Sequence, residues 1–514
     1  MRAMKRAGVL RLPLVLATAA CALAACGGGG SSTPDADISV PAEACPPPTQ
    51  LVDSTGGRKI GDGTAASCTE AALDAVLSMG GVIYFDCGPD PVTITTTAEK
   101  DITANTIIDG GGKVTLDGGG LHRIFSINTA LDQATPILTV QRLTFANGAG
   151  PPIDGGGGAI RRKGGTLIVN QCTFRGNHGT PAGPDVAGGA ISSQGMSTTL
   201  VVGSLFVANS ASNGGALGNI GNSLRIFNSR FEGNEATGPG GMPSQGGNGG
   251  AVSVTGTMAA LEICGSSFVA NKGHANGGAV YHLATAAEPT TITRSTFKDN
   301  KLGDVDPSLG GALYLEGSAV TLSTSAIVGN RARSGGGLYM STGMLALEST
   351  TFADNTASGP LGGGAMDLGT SAGTITHATI AKNRASDGAA LVGGVAGELS
   401  TVTLTNSIIA NNEVGASAQP LNCLGAFADG GGNLQFPIMH GDVADQVCAA
   451  AVKLEDPLLG ELTMAIYEGG SDTTWVMTPK MGSPALSGGA TNCGATDQRG
   501  KTRPLPCTLG AVEP

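Results

Sequence analysis

Aromatic and charged residues are both scarce in this chain. Of its 514 residues, 4% are aromatic and 13% are charged, and Trp475 is the only tryptophan. So few aromatic side chains predict little material for a surface that stacks on sugar rings, and a low charge density is typical of exported surface proteins. The formal net charge of −11 leaves no excess of basic residues. Nucleic acid is therefore a poor partner for this chain.

Metal-binding patterns are also missing from the sequence. It contains no Cys-x-x-Cys pair and no His-Glu-x-x-His motif, and its six histidines are scattered. Zinc is therefore not expected, and no residue set predicts a cofactor. Asp304 and Asp306 could together bind Ca²⁺. Without further acids at alternate positions, however, such a pair is more often an exposed turn.

Glycine, by contrast, is abundant and periodic, with 84 residues in the chain. Many of these begin a Gly-Gly-Ala-aliphatic tetrad or a close variant of it. The tetrads begin at Gly157, Gly188, Gly214, Gly249, Gly277, Gly310, Gly336 and Gly363. A second motif alternates with the first, an aromatic or aliphatic residue with Asn three places later. Its asparagines are Asn177, Asn209, Asn234, Asn271, Asn300, Asn330, Asn355, Asn383 and Asn412.

A period of about 25 to 35 residues predicts a stacked array. Short β-rich runs such as Leu167-Ile168-Val169 lie between the motifs, and so much glycine argues against a helical solenoid. The sequence therefore predicts an all-β fold, a single right-handed parallel β-helix of about twelve turns and roughly 55 Å in length. Equivalent side chains then lie above one another, so Phe should stack inside, and Asn should form an amide ladder at turns that need left-handed backbone.

These motifs resemble the GGAI and FxxN repeats of chlamydial polymorphic outer-membrane proteins and, more widely, the pectin-lyase-like right-handed β-helix superfamily. The resemblance covers residues 82–415. It implies the fold and makes adhesion a candidate role, but the same fold also carries polysaccharide lyases and glycoside hydrolases.

The N-terminal region is typical of an exported lipoprotein. Residues 1–25 combine four basic residues with an apolar run, as in a secretory signal peptide, and their removal would change the formal charge from −11 to −15. Leu23-Ala24-Ala25-Cys26 resembles the lipobox of bacterial lipoproteins, which implies lipidation of Cys26 and a flexible linker over residues 26–50. Because Gly27 rather than Asp follows, the resemblance implies the outer membrane, with the protein exposed at the cell surface.

Both ends of the repeat region carry candidate caps. In residues 51–81, Ser67-Cys68-Thr69-Glu70 forms a capping box before a short amphipathic helix with Leu73, Val76 and Leu77 on one side. Residues 416–514 resemble the choice-of-anchor Q segment of bacterial surface β-helix proteins, notably at Thr496-Asp497-Gln498-Arg499-Gly500. We interpret Asp497 and Arg499 as a structural turn and ion pair.

The cysteines also predict an oxidising compartment. Of 11 cysteines, Cys21 lies in the leader and Cys26 is the lipidation candidate. Proximity in sequence suggests three disulfides, Cys68 with Cys87, Cys423 with Cys448, and Cys493 with Cys507, although connectivity cannot be derived from sequence. The pairing of Cys45, Cys172 and Cys264 stays open.

Catalytic patterns are weak by comparison. The NTD, DD, GHG and RIK motifs of polygalacturonases are all missing from the sequence. The residue types that a lyase needs are present in Asp109, Asp117 and the basic run Arg161-Arg162-Lys163. The acids are isolated from one another in sequence, however, so they do not form the carboxylate cluster of a Ca²⁺ site. Gly369-Thr370-Ser371-Ala372-Gly373 matches the nucleophile-elbow pattern, but a chain so rich in glycine is expected to contain about one such match by chance. His377 lies near Asp367 in sequence, and a polar surface contact is a simpler interpretation of it than a catalytic proton relay.

The sequence therefore favours a non-catalytic cell-envelope lipoprotein, a monomer, that displays a β-helix for adhesion or for binding a glycan or matrix polymer. Two alternatives stay open. One is a divergent polysaccharide lyase or glycoside hydrolase on the same fold, and the other is a passive structural spacer of the envelope.

Overall fold

Parallel pairing between successive turns of the chain builds almost the whole structure. The computed structural model describes residues 39, 44–152, 155–184, 186–240, 245–359, 361–386, 390–415, 422–440, 443–486, 488–489 and 492–514. The predicted leader and the lipidation candidate Cys26 lie outside these residues. Three parallel sheets run along the coil, here called sheet 1, sheet 2 and sheet 3.

Sheet 1 has 26 strands, and most turns of the coil contribute two of them, separated by a bend. Its strands are Arg58–Ile60, Gly81–Phe85, Val92–Thr95, Thr106–Asp117, Ile137–Ala146, Thr166–Asn170, Thr173–Arg175, Thr199–Val202, Leu205–Val207, Leu224–Phe227, Arg230–Glu232, Leu261–Cys264, Ser267–Val269, Pro289–Thr293, Thr296–Lys298, Ser318–Ser323, Ala326–Val328, Gly343–Glu348, Thr351–Ala353, Ala372–Thr376, Thr379–Ala381, Thr401–Thr405, Ile408–Ala410, Ala428–Asp429, Leu434–Phe436 and Lys453–Leu454. Parallel pairing thus extends on both sides of the repeat region 82–415, because turns without the repeat motifs still offer a strand edge.

Sheet 2 has 12 strands, one for each turn. They are Lys100–Asp101, Phe125–Asn128, Ile160–Lys163, Ile191–Gln194, Leu217–Ile220, Val252–Gly256, Val280–Ala284, Leu313–Glu316, Leu338–Met340, Met366–Asp367, Val395–Ala396 and Cys423–Leu424. Sheet 3 has eight two-residue strands, Ser210–Ala211, Glu235–Ala236, Lys272–Gly273, Lys301–Leu302, Arg331–Ala332, Thr356–Ala357, Arg384–Ala385 and Glu413–Val414. The prediction of a parallel coil of about twelve turns is confirmed.

Three strand pairs lie outside these sheets, and one α-helix precedes the regular turns. Leu361–Gly363 pairs with Ala390–Val392 in parallel, and Met439–His440 with Val443–Ala444 and Thr463–Ile466 with Thr473–Val476 are antiparallel hairpins. The helix is Glu70–Leu77, and its buried Leu73 and Leu77 join the core of the coil.

The predicted N-cap of this helix needs correction. Ser67 lies in a 3-10 turn, Ala65–Ser67, where its hydroxyl bonds the backbone of Asp62 and Thr64. Thr69 is the N-cap instead, and its hydroxyl accepts from the backbone N–H of Ala72 at 3.2 Å. The intervening Cys68 is joined to Cys87, which fixes the chain before the helix begins.

Two residue types of the repeat motifs, phenylalanine and asparagine, each form a column inside the coil. Rings of Phe145, Phe174, Phe206, Phe231, Phe268 and Phe297 stack in order, with centroids 4.6–4.9 Å apart and planes within 8° of parallel. The tetrads allow the bend that follows, since Gly277 has a φ of +68° and a Cβ on Gly278 would lie 2.0 Å from the carbonyl oxygen of Gly311.

The asparagines form the predicted amide ladder. Each side-chain N–H₂ from Asn177 to Asn412 donates to the side-chain oxygen of the next asparagine at 2.9–3.0 Å, and all of these residues are buried. The left-handed backbone falls on the residue just before the asparagine, as at Ala208 and Ala270. The ladder ends at Asn422, which donates to Asp445 at 2.8 Å.

A second left-handed position recurs at the bend between the two strands of each turn in sheet 1. We call this column the corner. Its residues, with φ between +46° and +61°, are Arg142, Gln171, Gly203, Asn228, Gly265, Arg294, Thr324, Ser349, His377 and Asn406. A non-glycine residue is slightly strained in this backbone conformation. Contacts made by its side chain must offset that strain.

Those contacts hold the terminal segments of the described chain against the coil. Residues 44–57 follow the corner toward the first turn, and Asn228 exchanges two hydrogen bonds with the backbone of Cys45, at 2.8 and 3.0 Å. Arg294 donates to the carbonyl oxygen of Ala44 at 2.9 Å, and its guanidinium also lies 5.7 Å from the ring of Tyr467. The two segments therefore meet at Arg294.

Residues 455–486, 488–489 and 492–514 cover the corner and the outer face of sheet 1 beyond that point. Tyr467 donates its hydroxyl proton to the carbonyl oxygen of Thr324 at 2.8 Å, and Met477 packs on Ala326, Val328 and Ala353. We call this outer face of sheet 1, together with the corner and the segment that covers them, the covered face. Small side chains at these outward positions let the segment approach closely.

Candidate functional site

The outer face of sheet 2 differs from the covered face. In each of its strands the second residue points outward, and the register places these residues in one column along the coil. In order they are Asp101, Ser126, Arg161, Ser192, Gly218, Ser253, Tyr281, Tyr314, Tyr339, Asp367, Ala396 and Leu424. Three consecutive turns thus carry tyrosine, and we call this part of sheet 2 the tyrosine face.

The tyrosine rings stack along the coil axis. The centroids of Tyr281 and Tyr314 are 5.1 Å apart with planes at 24°, and those of Tyr314 and Tyr339 are 5.4 Å apart at 9°. Tyr314 is only 7% exposed, whereas Tyr281 and Tyr339 are half-buried. Because each ring covers its neighbour, the column presents ring edges and hydroxyls along the coil.

A depression opens beyond Asp367, the outward residue one turn past Tyr339. The next outward residues are Asp367 and then Ala396, whose small side chain leaves a space of about 290 Å³. The space is lined by Gly362, Asp367, Gly369, Ala396, Gly397, Glu398, Leu399 and Leu424. We call it the notch. Its volume lies at the lower end of the range of small-ligand sites.

Carboxylates flank the tyrosine column on both sides of Tyr339. The side chain of Glu316 accepts a hydrogen bond from the hydroxyl of Tyr314. Asp367 accepts from the hydroxyl of Ser334 at 2.6 Å and from the backbone N–H of Gly369 at 3.3 Å. Burial raises the pKa of Asp367, and these two hydrogen bonds oppose that shift only in part.

The same surroundings keep the phenols protonated. Burial, with the charge of Glu316, raises the pKa of Tyr281 to about 12. Burial also raises the pKa of Tyr339, and the charges of Asp367 and Glu316 add to the effect. At neutral pH these hydroxyls are therefore hydrogen-bond donors as well as acceptors. Ring edges, phenol hydroxyls and carboxylate oxygens together suit a polyhydroxylated ligand.

The tyrosine face is not among the sequence-based predictions. Few aromatic residues and a single tryptophan predict little material for a stacking platform. A signal was nevertheless present, because Tyr281, Tyr314 and Tyr339 each follow the aliphatic residue of three consecutive tetrads. Equal spacing from the repeat motif is enough to place three side chains above one another in a coil of this kind.

The sequence-predicted cysteine pairs are all joined in the structure. The disulfides are Cys68–Cys87, Cys423–Cys448, Cys493–Cys507 and a fourth, Cys45–Cys264. The fourth, whose partners the sequence left open, spans 219 positions and fixes residues 44–57 to the coil. Cys172 is buried and free, and burial raises the pKa of its thiol to about 12.

Asp497 and Arg499 do form an ion pair, with an N–O distance of 2.6 Å. They lie in the segment that covers sheet 1, where the carboxylate of Asp497 also accepts from the backbone N–H of Glu513 at 3.0 Å. A second pair beside them is more deeply buried, since Arg503 and Glu513 lie 2.8 Å apart with side chains 0% and 4% exposed.

The weaker catalytic candidates are held in structural contacts. Asp109 accepts from Ser54, Gln141 and Arg142 beneath residues 44–57. Ser371 of the apparent nucleophile elbow is fully buried. His377 lies at the corner, where it contacts Asn406 and Gly494, whereas Asp367 lies on sheet 2.

Among the described residues, no cluster of three or more His, Cys, Asp or Glu side chains could hold a metal ion. In the same part of the chain, no helix has the length and apolar character needed to cross a membrane.

Comparison with known proteins agrees with the geometry of the coil. A family model described as a right handed beta helix region matches residues 278–436, which include the tyrosines and Asp367. The fold is a right-handed parallel β-helix. No curated protein sequence matches the chain.

One solved structure similar to this right-handed β-helix is that of PfbA, a surface adhesin of Streptococcus pneumoniae. The two share 9% sequence identity, and the alignment covers 82% of this chain and 99% of that chain, with a TM-score of 0.33.

Proposed function

We propose that this protein is an exported, non-catalytic β-helix that binds a polysaccharide through the tyrosine face. The observation that carries the proposal is the column Tyr281, Tyr314, Tyr339 and Asp367, which ends in the notch. Sugar rings offer C–H groups to an aromatic face and hydroxyls to polar side chains, and both kinds of partner are present here.

A polymer suits this face better than a small molecule. Polar and aromatic groups recur once per turn, so contacts repeat along the coil axis every ~4.8 Å. A chain laid along sheet 2 would meet the hydroxyls of Tyr281 and Tyr339 as well as the notch. Many weak contacts add to a useful affinity when they belong to one ligand.

Export is supported by the cysteines. Four disulfides among the described residues fit an oxidising compartment rather than the cytosol. We propose that the protein is carried to the outer membrane and held there by a lipid on Cys26. Replacing Cys26 with Ser should release the protein from membranes into the soluble fraction, and retention of Cys26→Ser in the detergent fraction would refute the anchor.

Binding is tested with the mature chain carrying Cys26→Ser, so that Cys45 and its disulfide stay in place. Affinity electrophoresis through a panel of polysaccharides should identify a polymer that retards migration. Tyr339→Ala should weaken that retention at least tenfold, which corresponds to about 1.4 kcal/mol. Tyr467→Phe, which alters a tyrosine of the covered face, should leave retention unchanged. Failure of every polymer to retard the unaltered protein would favour a passive spacer.

A second candidate function is cleavage of the same polymer, and Asp367 is the observation that favours it. Hydrolysis needs one protonated and one ionised carboxyl group at the scissile linkage. The raised pKa of Asp367 suits it to the role of the protonated general acid. Glu316, on the other side of Tyr339, would be the ionised carboxylate. New reducing ends or unsaturated products that disappear in Asp367→Asn and Glu316→Gln would establish this function instead.

A further inference from the structure

We infer that the outer face of sheet 3 binds an anionic polysaccharide, whose charged groups lie along a column of lysine and arginine side chains. The inference goes beyond the proposed function, because it assigns a second binding surface that differs from the tyrosine face in position and in charge.

The strands of sheet 3 place one outward residue on each turn. In every strand the second residue is buried, and the first residue points outward. The register stacks the outward residues in the order Ser210, Glu235, Lys272, Lys301, Arg331, Thr356, Arg384 and Glu413. We call the four cations, Lys272, Lys301, Arg331 and Arg384, the basic column.

Each end of the basic column is paired with an acid of the adjacent turn. The ammonium of Lys272 lies 2.6 Å from the carboxylate of Glu235, and the guanidinium of Arg384 lies 3.8 Å from that of Glu413. These two acids neutralise the terminal cations and mark the limits of the column.

The centre of the column is not neutralised in this way. Lys301 and Arg331 are exposed, and neither has an ion-pair partner among the described residues. Asp306, in the loop that follows Lys301, lies 3.9 Å from Arg333 instead. Because successive turns are ~4.8 Å apart, the two central cations stand side by side and face solvent. Their charges are therefore available to a ligand.

Like charges in register are otherwise avoided in this coil. Among the described strands, charged register partners of the same sign are confined to Lys272 with Lys301 and Lys301 with Arg331. Arg225 and Glu262, register partners in sheet 1, have opposite signs and form an ion pair. Like charges directly opposite each other destabilise a sheet. A local arrangement that costs stability is typical of a functional site.

A linear polyanion supplies the charge that the column lacks. The basic column extends over roughly 19 Å, four spacings of ~4.8 Å, so one chain with regularly spaced charges contacts several cations at once. The column is one residue wide with an acid at each end, which suits a linear chain better than a flat membrane. Because the whole protein has a formal charge of −11, a polyanion is not attracted to its surface in general.

Dextran and its charged derivatives provide a matched test, because the sugar backbone stays the same. The mature Cys26→Ser chain is titrated calorimetrically with dextran sulfate, carboxymethyl dextran and neutral dextran. At least one of the charged polymers should bind and neutral dextran should not, and added salt should weaken the binding. The tighter of the two charged polymers identifies sulfate or carboxylate as the preferred anionic group.

Two double variants separate the basic column from charge in general. Lys301→Gln with Arg331→Gln should weaken binding by about tenfold, which corresponds to about 1.4 kcal/mol. Because it also removes like charges from adjacent turns, it should not lower the free energy of unfolding. Lys113→Gln with Lys453→Gln removes the same charge at exposed positions outside sheet 3 and should leave the affinity unchanged. Tyr339→Ala should also leave it unchanged, so the inference and the proposed function can fail separately.

Each other outcome overturns the inference. Equal affinity for neutral and charged dextran would exclude an ionic site. An equal loss of affinity in the two double variants would reduce the effect to general charge attraction. If duplex DNA or vesicles of anionic lipid bind through Lys301 and Arg331 more tightly than either charged dextran, the surface belongs to a different class of partner. If neither charged dextran binds, the inference fails, and the proposed function is still decided by Tyr339→Ala and the polysaccharide panel.

Discussion

The covered face and the tyrosine face are built from the same repeat but present opposite surfaces. On the covered face, outward positions are small, as at Ala326, Ala353 and Ala381, and the chain's own terminal segment packs over them. On the tyrosine face the outward positions of consecutive turns are large, and Tyr281 and Tyr339 are half-buried.

The difference also extends to charge. Aromatic rings of the covered face contact cations from the same chain, as Tyr467 contacts Arg294, and its buried acids are paired, as Glu513 is with Arg503. On the tyrosine face, the donors to Asp367 among the described residues are a hydroxyl and a backbone N–H. We interpret acids paired with cations as parts of a structural surface, and we propose that an acid without a cationic partner among the described residues is available to a ligand. The predictions below test that distinction.

The largest effect should come from the buried ion pair of the covered face. Arg503→Met leaves Glu513 as an unpaired buried charge, which should lower the free energy of unfolding by about 3–5 kcal/mol. Urea unfolding followed by the fluorescence of Trp475, the only tryptophan, reports directly on this segment. The matched variant is Arg225→Met, since the pair of Arg225 with Glu262 is 39% and 37% exposed and should contribute less than about 1 kcal/mol. Similar losses in both variants would contradict the account.

Removing one tyrosine from each face should separate stability from binding. Tyr467 is 2% exposed, so Tyr467→Ala should lower the free energy of unfolding by about 3 kcal/mol without changing polysaccharide affinity. Tyr339→Ala should lower it by about 1 kcal/mol, the worth of its stacking on Tyr314, while weakening binding. The same urea titrations and affinity electrophoresis measure both quantities. A Tyr339→Ala protein that loses stability but retains full affinity would show that the tyrosine column is only structural.

Acidification should destabilise the covered face through His377. Burial, assisted by the charge of Arg503, lowers the pKa of His377 from 6.5 to about 4. The neutral ring is favoured in the folded state, so its stabilisation is complete above pH 6.5 and declines as the pH falls toward about 4. The total loss is roughly 3 kcal/mol for a shift of this size.

His377→Gln should remove that share of the pH dependence of unfolding. His282 lies inside the coil, where burial also lowers its pKa to about 4, and His282→Gln should remove a similar and additive share. Unfolding free energies measured from about pH 7 to about pH 4 test both variants, because this range spans the ordinary histidine pKa of 6.5 and the lowered pKa of about 4. A slope that is unchanged in His377→Gln would refute the linkage.

The smallest effect concerns Ser334 on the tyrosine face. Its hydroxyl donates to Asp367 and lowers the pKa of that carboxyl, so Ser334→Ala should raise the pKa of Asp367 further. Stability should change by only about 1 kcal/mol. Carbon-13 NMR of the side-chain carboxyl resolves the titration, and Thr370→Ala at an exposed position serves as the control. If the pKa of Asp367 is unchanged in Ser334→Ala, the Ser334 hydroxyl does not contribute to the electrostatics of the notch.

The interior of the coil was predictable because one local motif repeats. The stacked rings from Phe174 to Phe297 and the amide ladder follow from equal spacing alone, once parallel turns are assumed. Three disulfides between residues close in sequence were also predictable. In these cases, sequence separation is a good guide to distance in space.

The surfaces were less predictable because they depend on contacts between distant parts of the chain. Cys45 meets Cys264 only because residues 44–57 return along the corner, and no local pattern records that path. Corner residues such as Asn228 and Arg294 occupy a left-handed position that usually favours glycine, since their side chains bind those returning segments. The tyrosine face was predictable in principle from the position of each tyrosine after a tetrad. The low overall aromatic content gives no indication of it.

The most direct test of the central claim is hydrogen exchange of the mature Cys26→Ser protein with and without a polysaccharide that retards it. The account predicts that ligand slows exchange in the sheet 2 strands Leu338–Met340, Met366–Asp367 and Val395–Ala396. It predicts no change in the hairpin Thr463–Ile466 and Thr473–Val476 of the covered face. Protection confined to that hairpin, with none on sheet 2, would contradict the assignment of the tyrosine face as the binding surface.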